Sequence, residues 1–193
     1  MKKLFSWVDQ TPNKVNTTAR LYAYLIDWMV GGVVCAFPAV LLYGLITRRS
    51  DVFTDLYVFP ALGYSTFWSY LGGFLCIVAA IVYFVYIPYK KYEGQTLGKK
   101  IMKIKIVNKD GSRVRLRSLF VRQCIGLMIV ESGAVVVGGY FRQMATLALS
   151  YNVDSWWQMA GSILIVLSAL LVAVTLSHRA LHDYLANTKV VPA

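Results

Sequence analysis

Charge is kept out of four long stretches of this chain, and that exclusion limits what it can fold into more than any other feature. Between Arg20 and Arg48 lie 27 residues whose only charged side chain is Asp27. From Val58 through Tyr89 there is none, between Arg122 and Arg142 only Glu131, and between Asp154 and Arg179 none again. A helix crosses the ~30 Å hydrocarbon core of a bilayer with about 20 apolar residues, so each stretch is long enough to span. Four transmembrane helices are expected, near 21–46, 63–89, 119–147 and 156–178, in an all-α polytopic membrane protein. Hydrophobic residues are 58% of the 193, and charged residues 15% against the usual ~25%. That balance excludes a disordered chain. The net charge of +11 comes with no separate soluble domain, which argues against a nucleic-acid binder.

The basic residues set the orientation. An even number of spans puts both termini on one side, preceded by Lys2, Lys3, Lys14 and Arg20 and followed by Arg179 and Lys189. The connection between helices two and three adds eleven more, from Lys90 to Arg122, and leaves only Arg48, Arg49 and Arg142 on the other side. The basic side is expected to be cytoplasmic, with Trp156 and Trp157 at the outer interface. No cleavable signal is expected, because the apolar run after Lys3 stops at Asp9. Residues 1–19 read as a short cytoplasmic arm, with Leu4, Phe5, Trp7 and Val8 on an interfacial helix.

The basic connection alternates. Ile104 and Ile106 face Lys103 and Lys105, then Val114 and Leu116 face Arg113, Arg115 and Arg117. Asp110-Gly111 between the two runs favours a tight turn, so residues 99–117 are expected to form a basic β-hairpin. Lys99, Lys100, Lys103, Lys105, Arg113, Arg115 and Arg117 would then present a surface to anionic lipid or to an acidic partner.

Two apparent motifs carry no chemistry. Gly94-Gln95-Thr96-Leu97-Gly98-Lys99-Lys100 looks like a phosphate loop, but it is one residue short and has lysine where magnesium needs a hydroxyl. His178 and His182 have i,i+4 spacing but are the chain's only histidines, and read as interfacial rather than metal-bound. Cys35, Cys76 and Cys124 lie within the expected spans without ligand spacing and read as packing residues. No catalytic pairing, metal site or cofactor motif is present, and the chain reads as a non-enzyme.

The charges inside the spans are more telling. Arg20 and Asp27 share one helix face, two turns apart. An unpaired Asp27 in the membrane would cost a few kcal/mol or more, so a partner, water or a proton is required. Glu131 is expected near the midplane of helix three, nine residues in from Arg122.

Arg20-Leu21-Tyr22-Ala23-Tyr24-Leu25-Ile26-Asp27 resembles the opening of the RDD family of bacterial membrane proteins, named for an arginine and two aspartates. The Gly94–Lys100 segment with Ile106-Val107 and Asp110-Gly111 resembles the family's central hairpin, Arg122 its next helix entry, and Arg179 through Val191 its closing segment. Asn187 stands where glycine is usual, and Glu131 where aspartate is common. The resemblance implies that Arg20, Asp27 and Asp183 are the named residues, and a bacterial cytoplasmic membrane location. An Arg20–Asp183 pair is expected, with Arg122 close to Asp27.

Two functions follow as expectations. One is cation/proton exchange, with Asp27 and Glu131 binding Na+ or H+ and with Ser65, Thr66 and Ser69 as oxygen ligands. The other is a non-catalytic accessory or assembly subunit of a larger membrane complex. Gly31-Gly32, Gly72-Gly73 and Gly138-Gly139 would permit close helix contacts within the chain, in a homo-oligomer or with another membrane protein.

Overall fold

The computed structural model describes residue 9 and residues 11–193; the interfacial helix expected at Leu4, Phe5, Trp7 and Val8 lies outside them. The chain is mostly helical, with one two-stranded sheet. Helix α1 runs Thr17–Thr47. Asn16 caps it by accepting the Thr18 N–H at 2.9 Å, which satisfies one of the donors left open in a first turn. Its buried residues are Ala23, Asp27, Gly31, Cys35, Ala39, Tyr43 and Thr47, every fourth residue. Four residues advance slightly more than a full turn, so this line winds slowly round the helix and meets different neighbours along it.

The short α2 (Val58–Ala61) precedes α3 (Phe67–Ile81), which continues through a π turn at Val82–Tyr86 into α4 (Ile87–Lys90). The ring of Phe84 fits against Gly31, where a Cβ would sit 2.5 Å from it. After α5 (Leu97–Ile101), β1 (Ile104–Asn108) and α6 (Leu116–Phe120) comes a π-helical segment, Val121–Val130. Then follow α7 (Val136–Leu149), α8 (Val153–Val174), α9 (Leu181–Leu185) and β2 (Thr188–Pro192). Three helical stretches are long and apolar enough to cross a membrane: Thr17–Thr47, Phe67–Lys90 and Val153–Val174.

The stretch expected as helix three, 119–147, is not one helix. It unwinds between Glu131 and Val135. Side chains from three helices take up the freed carbonyls. The Tyr24 hydroxyl donates to Ala134 O at 2.7 Å, Arg142 Nη1 to Ser132 O at 2.7 Å, and Trp157 Nε1 to Ile129 O at 2.8 Å. Irregular backbone among apolar helices is stable only with such protein partners. Gly161 on α8 lets the break approach, since a Cβ there would lie 2.5 Å from Ser132 Oγ.

The expected hairpin over 99–117 is also replaced. Its turn forms, with Gly111 at φ 88° and the Asn108 N–H donating to Ser112 O at 3.1 Å. The return arm makes a single bridge, Val107 to Arg113, and leaves. β1 instead pairs antiparallel with the C-terminal β2, Ile106 opposite Val190. The physical reason is burial. Ile104, Ile106, Thr188 and Val190 are all buried, whereas the return arm buries Val114 alone and leaves Arg113, Arg115, Leu116 and Arg117 exposed. The sheet therefore draws the C-terminal segment to the same end of the helices as the start of α1 and residues 90–122.

Candidate functional site: a buried charge network

Asp183 is the hub of that end. It occupies the first turn of α9, where its Oδ2 accepts the Ala180 N–H at 3.1 Å. The same oxygen accepts Arg20 Nη2 at 2.7 Å, and Oδ1 accepts Arg122 Nε at 3.0 Å. Thr188 Oγ1 donates to Oδ1 at 3.3 Å. Burial alone would raise the Asp183 pKa, but the Arg122 and Arg20 guanidiniums outweigh it and hold the carboxyl well below the usual range. Arg20 also donates to His178 O at 2.6 Å. Arg179 braces the segment from behind, donating to Thr188 O at 2.9 Å, Asp183 O at 3.1 Å and Asp9 at 3.1 Å. The Arg20–Asp183 pair expected from the sequence is therefore present, and it joins α1 to the C-terminal segment.

Arg122, expected close to Asp27, makes its ion pair with Asp183. Asp27 is buried and held by the segment that looked like a phosphate loop. The Thr96 hydroxyl and Lys99 Nζ (2.9 Å) donate to Oδ2, and the Gly98 N–H donates to Oδ1 at 2.8 Å. Gly98 has to be glycine here, because a Cβ would overlap the Ala23 carbonyl oxygen. Lys99, expected on the basic surface, thus turns inward. Burial lowers its pKa, and Asp27 opposes the shift. Lys100, Lys103, Arg113, Arg115 and Arg117 are exposed, and Lys105 is half-buried.

Glu131 sits at the break before α7, buried, with no lysine or arginine partner among the described residues. It accepts Ser168 Oγ at 3.0 Å and the His182 N–H at 3.1 Å, and it meets His182 Nδ1 at 3.1 Å. Burial pushes the His182 pKa down, Arg122 adds to that, and the hydrogen bond to Glu131 opposes it. Gly126 makes room for this histidine, since a Cβ there would be 2.6 Å from His182 Cβ. The other histidine, His178, turns to Val172 O at 2.7 Å.

A cavity of about 310 Å³ opens beside these groups, between α1 and α8. Arg20, Lys99, Arg122, Glu131 and His182 supply its charged and titratable lining, and Leu21, Leu127, Ile165 and Val172 are among its apolar lining. Ser65, Thr66 and Ser69 are not part of it. They lie at the opposite end of the α3–α4 helix from Lys99, where Ser69 Oγ donates to Leu56 O at 2.7 Å and Ser65 Oγ accepts the Phe67 N–H at 3.3 Å.

Sequence reasoning missed Thr96, Gly98, Ser168 and the Glu131–His182 contact. A signal did exist for the first two. A glycine-rich run with a hydroxyl and a lysine is suited to an anion, and the anion is the chain's own Asp27.

Apolar helices of membrane length, with a C-terminal segment strapped to the first of them by buried ion pairs, define a helical integral membrane protein. The RDD family profile matches residues 15–187, and the chain belongs to that family. It is similar to the uncharacterized protein YckC of Bacillus subtilis (strain 168), with 27% identity over 174 residues, 90% of this chain and 82% of the relative. No solved structure matches it.

Proposed function

We propose that this protein is a non-catalytic accessory subunit of a larger assembly in the bacterial cytoplasmic membrane. The broken segment Leu116–Leu149 makes a fourth crossing beside the three long helices. Both termini and the basic residues 90–122 lie in the cytoplasm. The observation that carries the proposal is the saturation of the buried carboxylates. Asp27 is held by three donors from one segment, and Asp183 by two arginines, a hydroxyl and an N–H. Groups so occupied fix a shape and offer a cation no open position. Meanwhile α8 buries only Gly161 and Ser168. It leaves Trp156, Met159, Ile163, Val166, Leu170 and Val174 bare at three- and four-residue steps, a spacing that suits packing against another helix.

A second reading, cation/proton exchange, is favoured by Glu131. This carboxylate lines the cavity, lies at a helix break, and has a titratable histidine as its partner rather than a fixed cation. Sodium flux in proteoliposomes under an imposed pH gradient separates the two. The subunit reading expects no flux. It also expects a stoichiometric complex in native membranes that dissociates when Ile163 and Val166 are both changed to Trp. Flux abolished by Glu131→Gln would overturn it in favour of exchange.

A further inference from the structure

Arg122 holds more hydrogen-bonding capacity than the charge network uses. Its side chain is 3% exposed. Nε serves Asp183, but the two terminal amino groups donate to nothing among the described residues. A guanidinium presents five N–H donors in a rigid fork suited to phosphate, and the terminal amino groups of Arg122 are not sealed in the protein like the Tyr83 and Ser132 hydroxyls, in keeping with its place on the cavity wall. Arg122 lines the cavity, with Arg20 and Lys99 beside it. Arg20 and Lys99 are committed to Asp183 and Asp27, so Arg122 is the cation with a face to spare. Glu131, the one carboxylate on the cavity wall, is drawn aside by Ser168 and His182.

The rest of the wall is apolar, and the mouth opens between α1 and α8, both long enough to cross a membrane. Leu21 and Tyr24 stand exposed on one side, and Ile165, Ala169 and Val172 line the other. A polar end with free guanidinium donors and an aliphatic wall facing the bilayer match a molecule with an acidic head and an apolar chain. The volume of about 310 Å³ lies at the small end of the ~300–1,000 Å³ range of ligand sites. It fits a headgroup and the first part of a chain, with the remainder lying among lipids.

We infer that this cavity binds one anionic phospholipid, its phosphate on the Arg122 guanidinium and its acyl chain leaving between α1 and α8. The site is separate from the exposed basic residues of 100–117, which meet a membrane surface without enclosing any lipid.

The test uses the full chain in nanodiscs of phosphatidylcholine with graded phosphatidylglycerol, and native mass spectrometry of the lipid retained on release. One phosphatidylglycerol per chain is expected, held in at least tenfold preference to phosphatidylcholine. Arg122→Lys keeps a charge for Asp183 but loses the fork, and should weaken retention about tenfold. Ala169→Trp blocks the mouth and touches no charged group; it should abolish retention while leaving the unfolding temperature near that of the parent. Equal retention of both lipids, or retention unchanged in Ala169→Trp, overturns the inference. So does binding of inorganic phosphate by a chain that retains no lipid.

Discussion

Replacing Asp183 with Asn should be the most damaging single change at the charge network, and its pH dependence should distinguish it from Asp27→Asn. Asp183 is fully buried between Arg122 and Arg20, which are 3% and 10% exposed. Removing one partner of a buried pair costs about 3–5 kcal/mol, because a charge is left uncompensated. Arginine cannot relieve this by losing its proton. For a chain of this size 1 kcal/mol shifts the midpoint by roughly 2–4 °C, so a fall of about 6–20 °C is expected. Asp27→Asn strands Lys99 instead, and lysine can deprotonate. Burial already lowers the Lys99 pKa, whereas in the unfolded chain it stays near 10.4. Between those values the unfolded state binds the extra proton, so the stability of this variant rises with pH. Going from pH 7 to pH 9 should restore stability to Asp27→Asn, and nothing comparable to Asp183→Asn. The assay is built into the chain. Cys35, Cys76 and Cys124 are free and buried, so a thiol-reactive fluorophore reports unfolding in detergent as temperature is raised. If the two variants recover alike at pH 9, or Asp183→Asn melts within 2 °C of the parent, the assignment of Asp183 as the hub is wrong.

Three further outcomes follow from the same contacts. Gly98→Ala should destabilise by about 1–3 kcal/mol through overpacking, because the new methyl meets the Ala23 carbonyl; the same thiol assay measures it. Acidification should lower the melting temperature in two stages. His182, with its pKa lowered, binds its proton later than the unfolded chain does, so stability falls as pH drops below about 6.5. The Asp183 contribution, from a depressed carboxyl, is present above about pH 3.9 and lost only as pH falls through its lower folded value. His182→Gln should remove the first stage alone, and a melting temperature flat between pH 7 and 5 in the parent would contradict this. Arg142→Met should cost about 2–3 kcal/mol, because it unpairs Asp154 (2.7 Å) and leaves the Ser132 carbonyl without its donor. Faster exchange of the amides around 131–135 would locate the damage.

Much of this architecture was legible because charge in a bilayer is so costly. The gaps between Arg20 and Arg48, Val58 and Tyr89, and Asp154 and Arg179 each became a long apolar helix. The Arg20–Asp183 pair was legible on the same ground, together with the resemblance of both ends of the chain to one family. The Arg122 pairing was not, because seven-residue spacing on α1 says which groups share a face and nothing about which loop returns to it. The strand pairing failed for a related reason. Alternation over 103–107 and 113–117, with Asp-Gly between, describes a hairpin locally, and the turn does form. Which strand completes the pair depends on residues far away in sequence: β2 buries both Thr188 and Val190, the return arm only Val114.

The break at Glu131 was invisible for a deeper reason. Residues 119–147 are apolar enough for an unbroken helix, and neither proline nor charge stops one at Ser132-Gly133-Ala134. What opens the backbone there is the availability of better partners than its own ladder. Tyr24, Arg142 and Trp157 come from three different helices, and each donates to a separate carbonyl at 2.7–2.8 Å. Those three residues look unremarkable one at a time, as a phenol, a basic group and an indole. Together they allow the chain to unwind at the one place where a carboxylate sits, and the unwinding lets Glu131 reach Ser168 and His182 rather than remain inside a helix wall. A local feature that depends on three long-range contacts has no local signature. The prediction for Arg142→Met therefore tests the break itself: if withdrawing a donor loosens the break and Glu131 leaves His182, the histidine loses the hydrogen bond that opposes the lowering of its pKa, and the acid-side stage assigned to it should deepen.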